Sequence, residues 1–128
     1  MTKILGIHYG KAKVGLAMAE SSLATPLYSL NNNEQLINNL VTLVKQEQIE
    51  LIVCGVPEGK LVEEIEEFAR KLEFASKIKI VLHPETLSSQ DAIRLLREGN
   101  ARRAKLKNDH MYAAALILED YWDQNSVN

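Results

Sequence analysis

The 128-residue sequence predicts an α/β fold: a mixed five-stranded sheet, three antiparallel strands then two parallel, flanked by helices. Three observations carry that prediction. The first three apolar segments are joined by turns too short for anything but antiparallel pairing. Two later apolar runs, at 49–54 and 78–82, are each entered through an amphipathic helical stretch, as a parallel crossover requires. The opening segment is apolar on both of its faces, which suits the centre of a sheet.

Residues 3–8 are apolar and β-branched enough for a buried strand, and Gly10 is expected to take the following turn at positive φ. Lys11, Ala12 and Lys13 carry the chain over to a second strand at 14–18. After the Glu20-Ser21-Ser22 turn, residues 24–30 read as a third strand, with Pro26 suited to an edge. Asn31, Asn32 and Asn33 with Glu34 offer an N-cap and capping box for a helix burying Leu36, Ile37, Leu40, Val41 and Val44. The run 49–54 is continuous, as in a strand covered on both sides. Pro57-Glu58-Gly59 breaks the chain before a helix that buries Leu61, Ile65, Phe68, Ala69 and Leu72.

The fifth strand, 78–82, leads into His83-Pro84-Glu85. Ser88 to Asp91 looks like a cap, and Ala92, Leu95 and Leu96 mark a further helix. A polar stretch with Arg102, Arg103, Lys105 and Lys107 precedes a last helix at about 109–123, apolar nearly all round and therefore expected to pack deeply. The order is β-β-β-α-β-α-β-α-α, the arrangement of ribonuclease H-like domains, and residues 1–128 are expected to form one such domain.

Composition narrows the function. The 46% hydrophobic and 25% charged content is that of an ordinary globular protein. A formal charge of −2 supplies no global attraction to nucleic acid, so such binding needs a local basic patch. The single cysteine, Cys54, excludes an internal disulfide and reads as core. With no apolar run of membrane-spanning length and no signal-peptide pattern, no membrane partner and a cytoplasmic location are expected.

Five short motifs in order tie the sequence to a family. They are Gly6-Ile7-His8-Tyr9-Gly10-Lys11-Ala12-Lys13-Val14-Gly15-Leu16-Ala17, Ala24-Thr25-Pro26-Leu27, Gly55-Val56-Pro57, Pro84-Glu85-Thr86-Leu87-Ser88-Ser89, and His110 through Leu118 with its paired alanines. Together they resemble the YqgF/RuvX group of ribonuclease H-like proteins, described as Holliday-junction resolvases and as nucleases that trim precursor small-subunit ribosomal RNA. The resemblance implies structured RNA or branched DNA as partner and Mg²⁺-dependent phosphodiester hydrolysis. It also implies an acidic site: an Asp ending the first strand, acids in a D-E-R motif and an Asp opening the last helix. Those positions hold His8, Pro84-Glu85 and His110, and the motif's Arg is Thr86. The loop after Pro57 is also shorter than the family pattern.

These departures bear on chemistry. Mg²⁺ takes hard oxygen ligands, whereas imidazole suits Zn²⁺, Ni²⁺ or Cu²⁺. His8, Glu85 and His110 are therefore the candidate catalytic and metal-ligating residues, and Mg²⁺ use is expected to be lost or attenuated. A rebuilt transition-metal site on His8, His110 and either Glu85 or His83 is the alternative; drift of unneeded carboxylates to polar residues is the plainer one. A protein-interaction module that binds no nucleic acid is a third. Lys11, Lys13, Arg102, Arg103, Lys105 and Lys107 are the candidate phosphate contacts, against a reading of the same charges as a solvated loop.

Overall fold

In the computed structural model, which describes residues 2–57, 59–85 and 110–125, β1 (Ile4–Tyr9) lies in the middle of a five-stranded sheet ordered β3-β2-β1-β4-β5. β2 (Lys13–Ala19) and β3 (Ala24–Asn31) follow as an antiparallel meander. β4 (Leu51–Val56) and β5 (Ile80–Pro84) extend the other side of β1 in parallel. The mixed sheet expected from the sequence is therefore present. Pro26 sits on edge strand β3, where its missing N–H breaks no inner ladder.

The two helical crossovers, α1 (Leu36–Glu47) and α2 (Val62–Ser76), cover one face of the sheet. The third described helix, α3 (His110–Asn125), covers the other. Side chains alternate along each strand. In β1, Leu5, Ile7 and Tyr9 enter the core under α1 and α2, while Ile4, Gly6 and His8 face α3. The first core is built from large aliphatics, with Leu5, Ile7, Leu16, Leu40, Ile52, Ile65 and Leu72 among its fully buried members. The second mixes small and large ones, Ala17, Ala19, Ala114 and Ala115 packing with Ile4, Val53, Ile117 and Leu118.

Local details depart from the sequence reading. The expected strand at 49–54 runs from Leu51 to Val56 instead. Gln48 takes a left-handed conformation (φ 57°) and the Ile49 N–H returns to the Val44 carbonyl, so Ile49 belongs to the close of α1. The run expected at 78–82 is displaced to Ile80–Pro84 for the same kind of reason. Lys77 is left-handed at the end of α2, and the Ile78 N–H donates to the Ser76 hydroxyl. No capping box forms at Asn31–Glu34: Asn31 ends β3, Asn32 donates to the Gly10 carbonyl, and Asn33 accepts from the Gln35 N–H. Gly10 does not adopt positive φ either, since among the described glycines only Gly59 does. Its requirement is space, because a Cβ there would lie 2.5 Å from the Lys13 carbonyl oxygen and 2.9 Å from His110 Cε1. The helix expected around 92–96 and the basic stretch with Arg102, Arg103, Lys105 and Lys107 lie outside the described residues.

Candidate active site at the end of the central strand

His8 is the last residue of β1 on the α3 face. Three local features bring its neighbours to it. First, α3 starts directly over β2: a Cβ on Gly15, the β2 partner of His8, would lie 2.0 Å from the His110 carbonyl carbon and 2.4 Å from the Met111 nitrogen. Only glycine permits that approach, and it sets the His110 ring 5.0 Å from the His8 ring, centre to centre, tilted by 35°. Second, the Glu85 N–H donates to the Val56 carbonyl (3.1 Å), carrying the β4–β5 ladder one residue past Pro84. Third, β4 lies between β5 and β1, so Glu85 must reach over a whole strand to meet His8. Gly55 leaves that path open, and a Cβ there would lie 2.8 Å from Glu85 Cγ.

The result is a hydrogen bond of 2.6 Å between His8 Nδ1 and Glu85 Oε1. The Glu85 side chain is 12% exposed and that of His8 26%, so the dyad is shielded but open to solvent on the imidazole side. An ionised carboxylate only accepts, so Nδ1 donates in this bond, and in the neutral imidazole that assigns the lone pair to Nε2. His8, Glu85 and His110, distant in sequence, converge at one end of the sheet.

His83 does not join them. It is buried on the α3 face, 5% exposed, and its Nε2 meets Asp120 Oδ2 at 2.5 Å. The Tyr121 ring stands edge-on at 5.7 Å. Asp120 is ten residues along α3 from His110, about 15 Å at the helical rise. The pair ties β5 to the far half of the helix, and Gln124 also donates to Asp120 at 3.3 Å. Nothing in the sequence reading anticipated this partnership. The available signal was Asp120, set between the apolar run Ala113–Leu118 and the Tyr121-Trp122 pair.

The donor set does not fit Mg²⁺. Among His8, Glu85 and His110 only Glu85 has oxygen ligands, and its Oε1 is engaged by His8. Pro84, standing at a position the resemblance makes acidic, has no side-chain ligand. Among the described residues, no group of three or more His, Cys, Asp or Glu side chains is arranged to hold a metal ion. Asp109, next to His110, lies outside those residues.

Lys11 and Lys13 are exposed on the β1–β2 turn. Lys13 is two residues before Gly15 and so lies on the same face as His8. Cys54 is fully buried and is core, as expected, with burial pushing its thiol up to about 12. Under α1 and α2, Tyr9 donates to Glu64 Oε2 at 2.6 Å. Burial and that hydrogen bond hold its phenol above the ordinary range, so it stays neutral.

A family model described as "RuvX: Holliday junction resolvase" matches residues 2–124. The chain belongs to the RuvX family. It is 35% identical over 128 residues to a protein of Orientia tsutsugamushi (strain Ikeda), covering 91% of this chain and 81% of that one. It is 31% identical over 138 residues to one of Chlamydia trachomatis serovar L2 (strain ATCC VR-902B / DSM 19102 / 434/Bu), covering 96% and 93%. Both carry the name "Putative pre-16S rRNA nuclease". In fold it is similar to T. thermophilus RuvC, solved in complex with a Holliday junction substrate (TM-score 0.61, 11% identity, 97% and 96% covered). It is also similar to the Fowlpox virus resolvase bound to Holliday junction DNA (TM-score 0.61, 10% identity, 96% and 98% covered). The RuvX family is thus one of nucleases related to ribosomal RNA processing or junction resolution. Among the described residues, no helix is long and apolar enough to cross a membrane.

Proposed function

We propose that this RuvX-family chain binds structured RNA or branched DNA at the end of the central strand and has attenuated or lost Mg²⁺-dependent phosphodiester hydrolysis. The observation that carries this reading is the His8–Glu85 hydrogen bond. Two-metal hydrolysis requires clustered anionic oxygens free to bind cations and offset their charge. Here the surviving carboxylate is committed to an imidazole, and a second imidazole, His110, stands beside it. The names of the relatives and the fold shared with junction-bound resolvases support nucleic acid as the partner. The exposed Lys11 and Lys13 at the rim, with Arg102, Arg103, Lys105 and Lys107 in the sequence just before α3, support phosphate contact.

The test is a cleavage and binding assay with Mg²⁺ on a structured RNA and a four-way DNA junction. The native protein is expected to bind, with an affinity falling steeply as salt rises, and to show little Mg²⁺-stimulated cleavage. Replacing Arg102, Arg103, Lys105 and Lys107 together by Ser should flatten the salt dependence. Strong Mg²⁺-dependent cleavage abolished by Glu85→Gln would overturn the reading. Absence of binding at low salt would shift the function to a protein partner.

A further inference from the structure

The exchange of carboxylates for imidazoles removes one kind of phosphodiester chemistry and supplies the parts of another. We infer that His8 and His110 act as a general base and general acid that cleave RNA without a metal ion, by attack of the 2′-hydroxyl on the adjacent phosphodiester. The inference rests on the nucleic-acid reading above and narrows its substrate to RNA, because DNA lacks the internal nucleophile. The structure provides three of the requirements. His8 is oriented by a carboxylate on Nδ1, which fixes the tautomer and stabilises the imidazolium formed when Nε2 takes a proton. A second imidazole lies 5.0 Å away, close enough for both rings to reach oxygens bonded to one phosphorus at ordinary hydrogen-bond distance. Exposed Lys13, on the same face, supplies positive charge for the phosphorane that a metal would otherwise stabilise.

The step balances. His8 Nε2 removes the 2′-hydroxyl proton as the O2′–P bond forms. The P–O5′ bond breaks, and protonated His110 gives its proton to the departing O5′. The products are a 2′,3′-cyclic phosphate and a 5′-hydroxyl end, with His8 protonated and His110 neutral until solvent exchanges the proton. No oxidant, metal or second substrate enters.

The experiment incubates the full chain with a structured RNA hairpin in excess EDTA and identifies the new ends, while binding is followed on the same hairpin carrying a 2′-O-methyl group at the cut site. The expected result is EDTA-resistant cleavage to cyclic-phosphate and 5′-hydroxyl ends, blocked by the 2′-O-methyl group. His8→Gln and His110→Gln should each slow cleavage at least about 100-fold while binding is kept. Glu85→Gln, which acts through His8, should lower kcat about ten-fold or more at unchanged KM. Binding without EDTA-resistant cleavage overturns the inference alone, as do 5′-phosphate ends or a His8→Gln variant as fast as the native protein. Absence of binding overturns it together with the reading on which it rests.

Discussion

The two faces of the sheet are built on opposite rules. Under α1 and α2 the strands present Leu5, Ile7, Leu16, Ile52 and Cys54, fully buried against Leu40, Ile65 and Leu72. Under α3 the same strands present Gly6, Gly15, Ala17, Ala19 and Gly55 beside Ile4 and Val53, and the helix answers with Ala114 and Ala115 beside Ile117 and Leu118. Large side chains give the first face apolar area, the main source of stability. Small ones give the second face close backbone approach, which seats His110 over Gly15 and lets Glu85 cross Gly55. His8, His83 and His110, with Glu85 and Asp120, lie on this second face. The division separates the face that supplies most of the large apolar burial from the face that gathers the polar cluster.

Changes of side-chain size should act on the two faces in opposite senses. Truncation should hurt the first face most: Leu72→Ala is expected to cost about 2–5 kcal/mol in denaturant unfolding, through lost burial and a residual cavity. Enlargement should hurt the second: Gly15→Ala places a methyl on the His110 backbone and is expected to cost about 3 kcal/mol. It should also perturb the His8 and His110 imidazole resonances, which Leu72→Ala leaves in place. If Gly15→Ala is neutral in both readouts, the close docking of α3 is wrong.

Asp120→Ala leaves buried His83 without its carboxylate and should cost about 1–3 kcal/mol. Because His83 and Asp120 stand apart from His8, nucleic-acid affinity in folded protein should not change. A further effect is alkaline. Cys54 on the first face has a folded pKa raised from 9.0 to about 12, mainly by burial. Between those values the unfolded chain releases a proton that the native state keeps, so stability falls as pH rises through that window, by up to about 1.4 kcal/mol per unit. Cys54→Ala should remove that component of the slope, and an unchanged slope would mean the thiol titrates freely in the native protein.

The sheet was legible because apolar runs and connection lengths dictate pairing direction locally. The two-residue displacement of β4 and β5 was not, since it depends on Gln48 and Lys77 closing their helices in left-handed conformations that neither residue type announces. The Asn31–Asn33 cap failed because Asn32 is used by Gly10, a partner 22 residues earlier. Of the site, the resemblance pointed to His8, Glu85 and His110, but residue types alone say nothing of their hydrogen bonding. The His8–Glu85 bond spans 77 residues and depends on Gly55, a position that reads in sequence only as the end of a strand. The joining of His83 to Asp120 rather than to the other histidines is likewise a property of the packed helix.

Mg²⁺ titration calorimetry distinguishes a magnesium-binding carboxylate cluster at this site from an imidazole–carboxylate dyad. The native protein is compared with the variant His8→Asp, Pro84→Asp, His110→Asp. The native chain is expected to show no saturable Mg²⁺ binding and the triple variant saturable binding, with each single substitution alone having little effect because ligands act as a unit. Saturable Mg²⁺ binding by the native protein, lost in Glu85→Gln, would contradict this expectation.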